Sequence, residues 1–141
     1  MIDWNWAESA RQLGKLLAAF VLSLPIAFNR ERSDRIMGIR TFPLVAMASC
    51  GFMLLGQQAF PGSAEAQARV LQGLITGIGF IGAGAILKQD GHVKGSATAA
   101  AIWNTGAIGA AVALGRYEIG VLLSLADYLI LRYLAKLKKD G

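Results

Sequence analysis

The chain has 141 residues, of which 55% are hydrophobic, 16% are charged and 17 are glycine; a soluble domain carries about 25% charged residues, so this composition points to one domain solvated by lipid. One cysteine excludes an internal disulfide and a cysteine metal cluster, and one histidine excludes the usual multi-histidine metal sites. The formal charge of +5 would direct a soluble protein towards nucleic acid, but in a lipid-borne protein the placement of the charges matters more than their sum.

The N-terminus, MIDWNWAESARQ, has acids and tryptophans where a signal peptide has a basic region. No small-residue cleavage site follows a short apolar core, so the first apolar segment is expected to stay in the mature protein. Five apolar segments follow, at 12–28, 42–60, 70–87, 96–114 and 118–135. Each approaches the ~20 residues a helix needs to cross a ~30 Å hydrocarbon core. The fourth is only mildly hydrophobic, being rich in Ala and Gly, and relies on neighbours to cover it. The links at 29–41, 61–69, 88–95 and 115–117 are short and favour antiparallel neighbours. No stretch alternates with period two over the length of a barrel strand. The expected fold is all-α: a polytopic integral membrane bundle of about five transmembrane helices, forming a single domain over residues 1–141.

A five-crossing chain puts Arg30, Arg32, Arg35, Arg40, Lys88, Lys94, Arg132, Lys136, Lys138 and Lys139 on one side. Arg11, Lys15, Arg69 and Arg116 fall on the other. The excess marks the cytoplasmic side, with the N-terminus outside and the C-terminus inside. The positive charge is thus a topology signal, and no nucleic-acid partner is expected. Trp4, Trp6 and Tyr117 fit an aromatic belt at the outer boundary.

The stretch GLITGIGFIGAGAIL, residues 73–87, spells a dinucleotide-binding turn with Gly77, Gly79 and Gly82. That fingerprint needs a strand before it, a helix after it and an acidic ribose ligand further on. Here the glycines lie inside an apolar run. In lipid the same residues let helix backbones approach. Gly73 and Gly77 form a G-x-x-x-G pair, and Gly79, Gly82 and Gly84 extend the small-residue face. The fourth segment offers Gly106 and Gly109 in return. Packing is the expected role, with a pore-lining face or a helix break beside an ion as the sharper alternative.

The link NRERSDRIMGIRT gathers Arg30, Arg32, Arg35 and Arg40 with Glu31 and Asp34. It reads as topology plus contact with anionic headgroups, or as an ionic cluster docking on the glycine-rich helices. Asp127 lies mid-segment in the fifth helix, where a carboxylate is expensive and faces protein or water. Lys15 is its candidate partner. Asn104 and Thr105 suit interhelical hydrogen bonds, as do Gln72 and Thr76, and Trp103 reads as a packing residue. His92 reads as a solvated loop residue. No nucleophile–base pair and no phosphate loop is present, so an enzyme is not expected.

Three blocks carry a family resemblance. They are Arg30-Glu31 with Gly38-Ile39-Arg40-Thr41 and Leu44-Val45; Gly77-Ile78-Gly79-Phe80-Ile81-Gly82-Ala83-Gly84; and Val93-Lys94-Gly95 with Thr98-Ala99-Ala100, Trp103 and Ala107-Ile108-Gly109. In order and spacing they resemble the membrane domain of the MgtC/SapB family of bacterial inner-membrane proteins, from about residue 12 to residue 115. The match is to the membrane domain, without the C-terminal cytoplasmic domain of larger members. Ala27, Asn29 and Ser96-Ala97 depart from the family pattern. At Asn29 the family usually has a glutamate. Glu31, a residue pair further along, is an imperfect substitute on a helix. The resemblance implies a multi-pass protein of the bacterial inner membrane linked to magnesium homeostasis. It is expected to act as a non-enzymatic regulator, through contacts with lipid, its own copies or another membrane protein complex. The alternative is a homo-oligomeric channel or transporter for Mg²⁺ or another small ion. No resident cofactor is expected; Mg²⁺ is a candidate ligand or substrate, and its ligands are not identified.

Overall fold

The computed structural model describes residues 4–33 and 37–137, and of Gln89 the backbone alone. Asp34, Arg35, Lys138 and Lys139 therefore lie outside the described residues. The protein is all-α apart from one short hairpin. The helices are α1 (Trp6–Ser33), α2 (Thr41–Ala59), α3 (Ala64–Ala83), α4 (Ser96–Ala113) and α5 (Tyr117–Leu129). The hairpin, β1 (Leu87–Gln89) and β2 (His92–Lys94), joins α3 to α4. Helix α5 runs on through a π-turn, Ile130–Leu134, into a last α-turn, α6 (Ala135–Leu137).

Helix ends depart from the edges of the apolar segments, because hydropathy marks a change of surroundings and backbone hydrogen bonding continues past it. The α1 helix starts at Trp6, where the Asn5 side chain accepts from the Glu8 amide at 3.1 Å. It ends at Ser33, with Arg30 and Arg32 in the last turn, where the helix dipole favours cations. Residues 29–33, expected as a link, are thus helix. Helix α3 starts six residues before the expected 70, capped by Ser63, whose hydroxyl accepts from the Ala66 amide at 3.3 Å. It stops at Ala83, so Ile86 and Leu87 fall outside it.

The 88–95 link is a hairpin in which Leu87 pairs with Lys94, Lys88 with Val93 and Gln89 with His92. Its turn residues, Asp90 and Gly91, both take positive φ, 50° and 79°. Asp-Gly is the strongest short-range hairpin signal in a sequence, and windows of helix length pass over it. Gly95 then opens α4 at φ 86°, so close to the Ala85 carbonyl that a Cβ would overlap it.

The mildly hydrophobic fourth segment is the centre of the bundle. Helix α4 packs against α1, α2, α3 and α5. It buries Thr98, Ala101, Ile102, Thr105, Gly106 and every residue from Ile108 to Ala113. Its side chains are small because its neighbours are near. Gly109 lies against the Ala46 carbonyl of α2, and Gly106 lies under the Ile78 side chain of α3. One core cluster holds Ile26, Phe42, Ile78, Ile102 and Ile108; a second holds Ala19, Cys50, Met53 and Val112.

The outer surface is apolar. Leu44, Phe52, Leu55, Phe80, Leu122 and Leu125 all point outward, Phe80 with 84% of its surface exposed. Among the described residues, α1 and α2 are long and apolar enough to cross a membrane by length and composition. Helices α3 and α4, with 20 and 18 residues, are diluted by glycine, alanine and polar side chains. Helix α5 has 13 residues before its π-turn.

The packing gives a test at two glycines. Gly109→Ala pushes a methyl into backbone, and overpacking of this kind costs about 1–3 kcal/mol. Gly77→Ala adds a methyl where nothing lies within 4 Å. Thermal unfolding of the detergent-solubilised protein is expected to fall for Gly109→Ala and to stay level or rise for Gly77→Ala.

Candidate functional site

The charged link and the fifth helix meet at one end of the bundle. Arg30 lies on the α1 face that also carries Ala19, Ser23 and Ile26, all buried. It is itself only 4% exposed. Its guanidinium donates to the Asn29 side-chain oxygen, from Nη2 at 2.9 Å and from Nε at 3.3 Å. Glu31 turns the other way. Its Oε2 accepts from the Ile39 amide at 3.0 Å, tying the end of α1 to the approach to α2. Gly38 sits directly on that carboxylate, and any Cβ there would overlap it. Glu31 therefore braces its own loop rather than docking on the glycine-rich helices. Arg40 is exposed at the head of α2, and Thr41 is the first residue of that helix.

Asp127 is 9% exposed and lies one turn before the π-turn of α5. The Asn104 amide lies beside its carboxyl, and Arg30 is the cation whose charge reaches it. Oδ2 of Asp127 is buried without a hydrogen-bond partner among the described residues. Flanking bonds hold the carboxylate in place. Asn104 Nδ2 donates to the Leu123 carbonyl at 3.3 Å, joining α4 to α5. Ser124 Oγ donates to the Leu22 carbonyl at 2.5 Å, joining α5 to α1. The result is a buried polar junction of three helices.

Lys15 is not the partner of Asp127. Its Nζ donates to the Ala113 carbonyl at 2.7 Å, and Gln57 Nε2 reaches the same oxygen at 3.5 Å. A cation there satisfies the last turn of α4 and its dipole. The cation beside Asp127 is Arg30. A sequence signal for it exists: once α1 is carried past residue 28, Arg30 continues the buried spacing of Ser23 and Ile26.

The remaining residues divide by packing. Thr98 is fully buried at the start of α4. Gly82 faces the Ala99 carbonyl, 3.1 Å from where its Cβ would be, and Gly84 approaches the Met37 side chain. Gly73, Gly77 and Gly79 meet nothing within 4 Å. Gly73 and Gly77 instead line an open apolar groove of 410 Å³ with Val45, Phe52 and Ile81. Trp103, expected to pack, points outward with 57% of its surface exposed. Thr76 bonds back to Gln72 of its own helix at 3.0 Å and links no neighbour. Among the described residues no three His, Cys, Asp or Glu side chains come together to hold a metal ion.

The two ends of the bundle are charged differently. Arg11 pairs with Glu8 at 3.1 Å, Arg69 with Glu65 at 2.7 Å and Arg116 with Glu118 at 3.7 Å. Such exposed pairs add only about 0–1 kcal/mol each. With Lys15 bound to a carbonyl, all four basic groups of this end have a local partner.

Fold and junction together define a class: a small helical bundle with an apolar exterior, an alanine- and glycine-rich central helix and, among the described residues, one buried carboxylate. A profile of the MgtC family matches residues 16–140, and the chain belongs to that family. Protein SrpB of Synechococcus elongatus is 38% identical over 144 residues, covering 89% of this chain and 79% of the relative. YhiD of Escherichia coli strain K12, whose name describes a candidate magnesium transporter, is 33% identical, covering 83% of this chain and 57% of the relative. Protein MgtC of Salmonella typhimurium strain LT2 is 35% identical, covering 73% of this chain and 43% of the relative. The chain thus spans about half the length of those last two proteins. No solved structure matches it.

Arg30 is buried and its charge reaches the buried Asp127 carboxyl, and a buried charge that loses its countercharge is destabilising by about 3 kcal/mol or more. Arg30→Gln is accordingly expected to lower the unfolding temperature sharply. Adding Asp127→Asn to that variant removes the stranded charge and is expected to restore part of the loss. Additive losses in this double-mutant cycle would disprove the junction.

Proposed function

We propose that this chain is a multi-pass protein of the bacterial inner membrane that acts in magnesium homeostasis as a non-enzymatic regulator. Five crossings put the N-terminus outside and the C-terminus in the cytoplasm. The apolar exterior supports lipid around the bundle. The distribution of charge along the sequence supports the orientation, as five crossings assign ten of the fourteen Lys and Arg to one side. Family membership, and the names of relatives, support the link to magnesium.

One observation favours a regulator over a conduit: apart from Asp127, the interior polar side chains named above are occupied in joining or closing helices. Lys15, Asn104 and Ser124 bond carbonyls of neighbouring helices. Thr105 and Ser49 bond carbonyls one turn back in their own helices, both at 2.7 Å. A Mg²⁺ site needs converging oxygens and room for retained waters. In this reading the protein works through contacts, with lipid and with other membrane proteins or a second copy seated in the open Gly73 and Gly77 groove.

Transport is the second reading, and Asp127 Oδ2 favours it, as an interior carboxylate oxygen without a partner. A homo-oligomer would then frame the path. The deciding experiment places the purified protein in sealed liposomes containing a Mg²⁺-sensitive dye. Empty liposomes and the Asp127→Asn variant are run alongside. The expected result is no Mg²⁺ uptake above the empty control from protein shown to be folded and inserted. Uptake that Asp127→Asn abolishes would overturn the regulator in favour of transport.

A further inference from the structure

The groove between the C-terminal ends of α1 and α5 lies outside the junction just described. It has a volume of 650 Å³. Three cations line it, Arg32 from α1 with Arg132 and Lys136 from the end of α5, and no acidic side chain does among the described residues. Its polar lining is completed by Asn29, Ser33 and Tyr128, while Phe28 closes the side towards the bundle's middle.

Two irregularities in helical hydrogen bonding contribute to this groove. Pro25 stands inside α1, where it offers no amide to the turn before it. The other is the π-turn Ile130–Leu134. An α-turn holds about 3.6 residues and a π-turn more than four, so one of each keeps positions four apart in line. Tyr128, Arg132 and Lys136 are such positions, and all three line the groove. Arg132 is also held in orientation. It donates to the Tyr128 hydroxyl, and its guanidinium carbon lies 5.7 Å from the Tyr128 ring centre and 5.9 Å from that of Tyr133. A guanidinium so placed presents its remaining donors in a fixed fork, the geometry that suits phosphate.

The apolar surface leading away from the groove continues along both helices. Val21 and Phe28 on α1 and Leu125 and Leu129 on α5 are all exposed. A ligand that fits has a phosphate at one end and hydrocarbon at the other. We infer that this groove binds the headgroup of an anionic phospholipid of the cytoplasmic leaflet, with Arg32, Arg132 and Lys136 on the phosphate and the acyl chains along α1 and α5. The inference rests on the membrane-embedded reading above. It adds a built lipid site next to the Arg30–Asp127 junction, since Asn29 both lines the groove and accepts from Arg30.

The test is native mass spectrometry of the full chain in detergent, titrated with phosphatidylglycerol or phosphatidylcholine. The wild type is expected to retain phosphatidylglycerol in preference to phosphatidylcholine. Arg32→Gln/Arg132→Gln/Lys136→Gln is expected to weaken that retention about tenfold or more. Tyr128→Phe, which frees Arg132 without removing a charge, is expected to weaken it by a smaller factor. Lys88→Gln/Lys94→Gln removes two hairpin cations at the same end and is expected to leave it unchanged. Equal retention of both lipids by the wild type, or equal loss in the groove and hairpin variants, would overturn the site. Displacement of phosphatidylglycerol by millimolar inorganic phosphate would overturn the lipid as its ligand. Insertion of the same preparation into phosphatidylcholine vesicles is measured separately. Failure to insert would sink the membrane reading itself, whereas insertion without lipid preference would sink the groove alone.

Discussion

The close approach of α4 to the backbones around it is the constraint on which the rest depends. In an apolar surrounding, helices gain little by burying apolar side chains against one another, so association relies on contact distance. Gly109 meets the Ala46 carbonyl with no room for a methyl, and Gly106 admits the Ile78 side chain. One helix can then serve as the shared wall for four others. The small side chains of α4 follow from this. Most of its surface is covered by those neighbours, which leaves little room for large side chains; Trp103, on its uncovered edge, is the exception.

That arrangement decides where polar groups go. Where α4 is covered, its polar side chains turn to carbonyls, those of their own helix or of a neighbour. Thr105 takes the first and Asn104 the second. The carbonyl of Ala113, at the far end, is covered by Lys15 and Gln57. Asp127 then stands beside Asn104 where three helices meet, within reach of the Arg30 charge. The bonds of Asn104 and Ser124 around it tie α1, α4 and α5 together at this point.

The same end of the molecule also carries the groove of Arg32, Arg132 and Lys136. The basic residues of the opposite end are matched to acids or to a helix carbonyl. The bundle is therefore asymmetric along its axis. One end is aromatic, with its basic groups locally matched and Trp4 and Trp6 in ring contact at 5.8 Å. The other is cationic and holds the polar junction.

Several features follow from the sequence alone. The all-helical class and the number of apolar segments come from hydropathy, which is local. The family follows from three short blocks whose order is written in the chain. Asp127 and the charge asymmetry are legible because a charge in an apolar run stands out against its neighbours. Other features needed the tertiary structure. The start of α3 at Ala64 depends on the Ser63 cap, and α1 runs on to Ser33, beyond its apolar window. The choice of Arg30 over Lys15 as the cation near Asp127 depends on how α1 is rotated and how far it extends. Among the glycines, sequence assigns one face and one role, yet Gly82 is packed while Gly73, Gly77 and Gly79 stand open. Whether a glycine meets a neighbour is set by which helices come together and at what height. That is a property of the packed bundle, and no local pattern of residues encodes it.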